Sequence, residues 1–307
     1  LMVAIWPYAQ HHPLGGPLAA LRESSHFSST YPVLFAGHQI ASDQLPRGYL
    51  PWYLLITTPL ALLALALLGL LTLAGRVARG QAATATPAVP DDEARTLACL
   101  LLSWLLLPLA LIVIQHPPLY DGLRHGLFLL PALALAAGIG AATVASWFKR
   151  RWQRPRLAVA LVAALMLTAL PPIIRLHPYQ TCYFNPLVGG LAGAEGRYET
   201  DYWAASYSEA GRWLAARAKA SPRPLVILIA ANANLLPALS HFLPPAQVEL
   251  HLVWTGQEPV PATWDYFVGM SRYGQKNRFQ EVPIVHQIGR DAAVFTVIRG
   301  HEIAPPR

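Results

Sequence analysis

The segment Lys149-Arg150-Arg151-Trp152-Gln153-Arg154-Pro155-Arg156 carries five basic residues and no acidic one, and it separates two long uncharged runs. Residues 126–148 before it form a run of 23, and residues 157–174 after it a run of 18. As a helix at about 1.5 Å per residue, the first run reaches roughly 34 Å, enough for a hydrocarbon core of about 30 Å. Short loops rich in Lys and Arg stay in the cytoplasm. The turn is therefore expected inside, and everything after Ile174 outside.

Two more runs fit the same threading. Residues 53–75 are 23 uncharged positions followed by Arg76 and Arg79, and residues 96–114 are 19 more. Alternation then places residues 1–52, 115–125 and 175–307 outside. All eleven histidines fall in those outer stretches, although the threading was not built on them. The expected fold class is mixed: a polytopic α-helical membrane region with four spans (53–75, 96–114, 126–148 and 157–174), followed by a small outer α/β domain. The domains are an outer loop at 1–52, the spans to 174, an outer loop at 175–203 and the α/β lobe at 204–307. The chain start, Leu-Met-Val-Ala-Ile-Trp-Pro, reads like the last turns of an apolar helix. It lacks the basic stretch and the length of a signal peptide. It is expected to follow earlier spans of a longer membrane protein; the alternative is a short interfacial anchor.

Charged residues are only 13% of the chain, against about a quarter in soluble domains. The formal net charge is +7, but the densest basic cluster is the membrane turn, so a nucleic-acid partner is not expected. Cys99 sits in a span and Cys182 outside, so they cannot pair, and the sequence does not explain Cys182. No zinc spacing is present. Pro108 and Pro131 lie within spans and suggest kinked, packed helices.

In the outer lobe, Ser206 and Glu209 have capping-box spacing, and apolar residues on one face extend a helix over 206–220. Strands are expected at 224–230, 248–254 and 264–270, with a short helix at 232–242. A hairpin at 284–288 and 292–299 would turn at Gly289-Arg290-Asp291.

Two stretches hold residues suited to chemistry. The connection Gln115-His116-Pro117-Pro118-Leu119-Tyr120-Asp121-Gly122-Leu123-Arg124-His125 is short and must lie near the membrane. Arg124 and His125 start a span, where free N–H groups and the helix dipole favour anions, so they form a candidate phosphate site. Tyr120 and Asp121 would orient Arg124 or bind a sugar hydroxyl. The bland alternative is an Asp121–Arg124 surface pair with interfacial snorkelling, and the spacing supports both. The loop 175–203 gathers His177, Tyr183, Asn185, Arg197, Glu199 and Asp201 among aromatic residues, a composition suited to sugar hydroxyls and ring faces. Its alternative role is docking the lobe onto the membrane part. The glycines at 189, 190, 193 and 196 follow no strand and precede no P-loop lysine, so they read as a turn. Asp91-Asp92-Glu93 reads as solvated charge rather than a metal site.

The words YPVLFAG, LPRGYLPWYLLITTP, YDGLRHGLFLLPALALAAG and HPYQTCYFNPLVGGLAGAEGRYETDYWAASYSEAGRWL resemble bacterial membrane glycosyltransferases of the GT-C fold. The family is the one related to protein O-mannosyltransferases and lipid A aminoarabinose transferases. The resemblance implies a polyprenyl-phosphate-linked sugar donor, membrane lipid around the spans, and inverting transfer to an unidentified acceptor on the outer face of the bacterial inner or plasma membrane. It implies a catalytic base in an early outer loop, which would precede Leu1, so no residue here is assigned that role and this part alone is expected inactive. No cofactor follows from the residues, and a divalent metal is compatible with the resemblance. By the same analogy Arg124 and His125 would hold the lipid phosphate. The alternative is a non-catalytic membrane protein whose outer domain binds a partner or an envelope polymer. A transporter is disfavoured because no span carries a mid-membrane charge.

Overall fold

The computed structural model describes residues 6–13, 15–25, 30–79 and 91–301. The expected helix end at 1–5 and most of the 76–95 connection lie outside the described residues. Residues Leu1–Tyr31 form one unit and Pro32–Arg307 another. In the first unit are the helices α1 (Pro7–His11) and α2 (Gly15–Ser25).

The second unit opens on an antiparallel hairpin, β1 (Pro32–Phe35) and β2 (His38–Ala41), in a stretch whose sequence suggests only loop. Residues 53–75, expected as one span, belong to two helices: α3 (Tyr49–Thr57) and α4 (Leu60–Ala78). Pro59 is the cause. A residue before proline is pushed out of the α region, and Thr58 is extended at φ −103° and ψ 138°. Helix α5 (Asp91–Gln115) carries Pro108 in its interior. A 3-10 turn at Arg124–Leu129 leads into α6 (Leu130–Trp152). Pro131 therefore lies in the first turn of α6, where its missing N–H costs no hydrogen bond, rather than within the helix. Then come α7 (Pro155–Leu167) and α8 (Leu170–Arg175). Among the described residues, Leu60–Ala78, Glu93–Gln115, Arg124–Trp152 and Pro155–Arg175 are four helical stretches long and apolar enough to cross a membrane.

Helices α4 and α6 pack backbone to backbone. A Cβ on Gly69 would sit 1.8 Å from the Ala136 carbonyl oxygen, and one on Gly140 would sit 1.9 Å from that of Leu65. Small residues allow this approach between apolar helices, where no hydrophobic drive separates protein from lipid. Gly140→Ala is expected to cost about 1–3 kcal/mol through overpacking. Gly138→Ala meets nothing within 4 Å and serves as the control. Thermal melts in detergent compare the two, and equal midpoints would refute the close approach.

After the short helix α9 (Gly190–Ala194) comes α10 (Tyr207–Ala220), which leans on a five-stranded sheet. The strands are β3 (Leu225–Ile229), β4 (Val248–Leu252), β5 (Tyr266–Met270), β6 (Ile284–Arg290) and β7 (Ala293–Gly300), with the helix α11 (Pro237–Ser240) between β3 and β4. Their order is β4-β3-β5-β7-β6. Strands β4, β3 and β5 run parallel, and β7 is antiparallel to both β5 and β6. Every residue of β5 is buried, as a central strand of apolar sequence requires. The expected three-residue turn at 289–291 is instead a two-residue turn further along the chain. Asp291 and Ala292, both at positive φ, make the two-residue turn. Gly289 instead lies at a register shift, where a Cβ would meet the Ala293 carbonyl at 2.0 Å.

The capping box does not form. Ser206 makes no side-chain cap, and its hydroxyl donates to Asp201 Oδ2 at 2.5 Å. Glu209 instead accepts from the Tyr179 hydroxyl at 2.7 Å and pairs with Arg290 at 3.2 Å. Cys182 is fully buried, its thiol 3.5 Å from the Thr200 carbonyl, and burial pushes its pKa up. A thiol held protonated and out of solvent resists oxidation, which answers the question its sequence raised.

Candidate functional site

The connection between α5 and α6 is fastened to the segment after β2. Leu119 N–H donates to the Ser42 carbonyl at 3.2 Å, and the His116 ring meets the Leu45 carbonyl. Arg47 donates to the carbonyls of Val113 and Ile114 at 2.8 and 2.7 Å, closing the C-terminal end of α5. The chain then turns at Asp121 and Gly122, both at positive φ. Glycine is required at 122, because a Cβ there would also press on the Tyr53 ring at 3.1 Å. The Gly122 N–H donates to the Tyr49 hydroxyl at 3.0 Å.

This turn drives the Asp121 carboxylate inward until it is 2% exposed. Oδ1 takes Arg272 Nη2 at 2.5 Å, and Oδ2 takes Arg124 Nη1 at 3.0 Å. The two arginines differ. Arg272 is 11% exposed and its Nη1 donates to the Tyr202 carbonyl at 2.8 Å. Arg124 is 42% exposed, its guanidinium 4.9 Å from the Trp203 ring centre and 5.6 Å from that of Tyr120. Buried charge holds one arginine in the wall and aims the other at the surface.

Glu199 belongs to the same cluster. It is 5% exposed, and its carboxyl pKa is raised to about 8. Burial is the main cause; the Arg272 charge pulls the value down, and the Asp121 charge pushes it up. The apolar surroundings are an aromatic bed of Phe35, Tyr49, Tyr53, Phe184 and Tyr198, with neighbouring ring centres 4.8 to 6.4 Å apart.

Of the residues the sequence singled out, Tyr120, Asp121, Arg124, His125 and Glu199 come together. The Tyr120 and His125 rings meet edge to face at 4.7 Å, and His125 Nε2 is buried without a hydrogen-bond partner. The expected anion site at a free helix start does not form. Arg124 lies in a 3-10 turn whose N–H groups at 124 and 126 already donate to Asp121 and Leu123. Anion recognition here rests on the guanidinium, not on free backbone donors.

Asn185 and Asp201 are engaged inside the protein rather than presented to a ligand. The Asn185 amide donates to the carbonyls of Leu55 and Thr58 at 2.7 and 2.8 Å, groups that the break at Pro59 leaves without helical partners. Asp201 accepts from the N–H groups of Ala205 and Ser206, both at 2.8 Å, and so starts α10. His177 is exposed and 3.0 Å from the Gln180 amide. Arg197 is exposed beside the Tyr198 ring. Tyr183 lines a cleft of about 450 Å³ with Leu60, Thr168, Pro172 and Arg175.

Arg272 went unnoticed in the sequence. It opens the 3-10 segment Arg272–Asn277, just after the carboxyl end of β5, the end of a parallel strand where open α/β sheets place ligands. That rule, applied to the segment SRYGQKN, was the available signal. No group of three or more metal-binding side chains occurs among the described residues. Compared with protein-family models, with curated proteins and with solved structures, the chain gives no match.

Proposed function

We propose that this chain is part of a membrane glycosyltransferase that takes a sugar from a polyprenyl-phosphate donor, with Arg124 holding the donor phosphate at the membrane surface. The observation that carries this reading is the posture of Arg124. It is the first residue of an apolar stretch long enough to span a membrane, half-exposed, held by buried Asp121 and flanked by two aromatic rings. A guanidinium oriented in this way at headgroup depth suits a phosphate that is tethered to lipid.

In the transfer, an acceptor oxygen bonds to the anomeric carbon, the bond from that carbon to the phosphate oxygen breaks, and the acceptor proton leaves to a base. Charge grows on the departing phosphate, and a fixed cation stabilises that growth more than it stabilises the bound donor. By the positive-inside argument, the reaction lies on the outer face of a bacterial inner or plasma membrane, with the α/β lobe outside.

In the enzyme that carries this chain, Arg124→Ala is expected to lower transfer from the lipid donor about a hundredfold. Arg124→Lys should recover only part of it, since lysine offers a point charge without the planar fork. Unchanged kinetics in both variants would leave the chain as a non-catalytic docking protein. The internal engagement of Asn185 and Asp201 favours docking for those two residues in either case.

A further inference from the structure

The turn between α6 and α7 carries more positive charge than its helices call for. Lys149, Arg150, Arg151, Arg154 and Arg156 are all exposed, and none forms an ion pair among the described residues. The first three end α6, where cations suit the negative end of the helix dipole. Arg154 and Arg156 have no such reason. They are the N-cap and second residue of α7, at the positive end of its dipole, and the first turn holds neither a side-chain cap nor an acidic residue. Two cations against an uncapped helix start favour an anion there. The backbone holds them in place. Gln153 takes a left-handed φ of 57° and its N–H closes α6 on the Lys149 carbonyl at 3.1 Å, while Pro155 sets the first helical angle of α7. Trp147, Phe148 and Trp152 pack edge to face beside them, with ring centres 4.6 to 5.2 Å apart. Both tryptophans are exposed, and such rings settle at the membrane–water interface, so the adjoining cations lie at the depth of lipid phosphates.

A groove leads from this turn into the apolar part of the hairpin. Ala141 and Ala145 of α6 and Ala158 and Val162 of α7 wall a space of about 380 Å³ that no polar side chain lines. At about 1.5 Å per residue it runs from roughly 6 to roughly 18 Å from the turn. The stretch Pro155–Arg175 is almost wholly exposed, so the groove opens to lipid and not to another of the described spans. We propose that the α6–α7 hairpin holds one anionic phospholipid, its phosphate between Arg154 and Arg156 and one acyl chain in the groove. Orientation by positive charge asks only that a loop be basic; it requires neither arginines at a helix start nor an apolar groove beneath them. Attraction of basic residues to an anionic surface is diffuse, and the groove makes it a site. The site does not rest on the sugar-transfer reading.

Native mass spectrometry on the full chain in detergent, with phosphatidylglycerol and phosphatidylcholine of matched chains, tests it. One phosphatidylglycerol should be retained per chain, about tenfold or more over phosphatidylcholine. Arg154→Gln with Arg156→Gln should lower retention about tenfold. Lys149→Gln with Arg150→Gln removes the same charge from the end of α6 and should lower it far less. Ala142→Phe and Ala163→Phe, at exposed positions lining the groove, keep all five cations and should lower retention as far as the first pair, with the thermal melt unchanged. Glycerol 3-phosphate, the phosphate without its chains, should not compete in large excess. Equal retention of the two lipids, full retention in the groove-filled variants, or an equal fall from both charge pairs would reduce the turn to diffuse attraction and overturn the inference. Competition by glycerol 3-phosphate would make it a site for free phosphate, and lipid-free dimers would give the groove to a second copy; both overturn the lipid.

Discussion

Asp121→Ala should lower stability by about 3–5 kcal/mol, the expected result of removing one partner from a buried ion pair. The loss comes from Arg272, not from the deleted carboxylate. At 11% exposure its guanidinium would keep the Tyr202 carbonyl and the Tyr273 ring but lose its paired carboxylate, while its Nε already lacks a partner. Arg124 behaves differently, because at 42% exposure it can turn to water. A pair of that kind contributes at most about 1 kcal/mol, so Arg124→Ala should melt close to the parent. The double variant Asp121→Ala with Arg272→Met removes the stranded charge and should recover much of the loss. Melting midpoints in detergent for the parent, Asp121→Ala, Arg272→Met and the double variant give the coupling directly. Equal midpoints for Asp121→Ala and the parent would mean that Arg272 reaches water when unpaired, and that the pair does not fasten the α5–α6 connection to the sheet.

The long apolar helices and most strands were legible because both follow from composition over many residues. Twenty uncharged positions leave a helix few alternatives, and PLVILIA at 224–230 is too short and too β-branched for anything but a buried strand. Single positions overrode these averages. Pro59 ends a helix inside an uncharged run, and Asp291–Ala292 takes the turn in place of nearby Gly289. The site was half legible. Tyr120, Asp121 and Arg124 are near neighbours in sequence, so their meeting is local. The partner of Asp121 lies 151 positions away at Arg272, and no local pattern announces such a pair. For the same reason Asn185 and Asp201 looked like ligand groups. Their polarity was visible, but the carbonyls and N–H groups they satisfy appear only when distant segments are brought together.

Glu199 should make the protein less stable as pH rises. Its pKa is about 8 in the folded chain against an ordinary value of 4.5, so folding takes up a proton between those limits. Stability from this group is fully present below pH 4.5 and is lost as pH climbs through 8. At about 1.36 kcal/mol for each pH unit between the folded and unfolded values, the total is on the order of 4–5 kcal/mol. Glu199→Gln keeps the shape and removes the titration. It should melt near the parent at pH 5 and well above it at pH 9, so the two melting curves plotted against pH should diverge. The charges of Arg272 and Asp121 and the backbone N–H groups of Asp121 and Leu34 act on this carboxyl, and the phenols at 49, 202 and 273 feel its charge in turn. The three phenols have raised pKa values and stay neutral over the same range. Asp121 contributes repulsion, so Asp121→Asn should move the loss of stability to lower pH, and Arg272→Met should move it higher. Parallel curves for the parent and Glu199→Gln would show that the carboxyl is solvated in the folded protein.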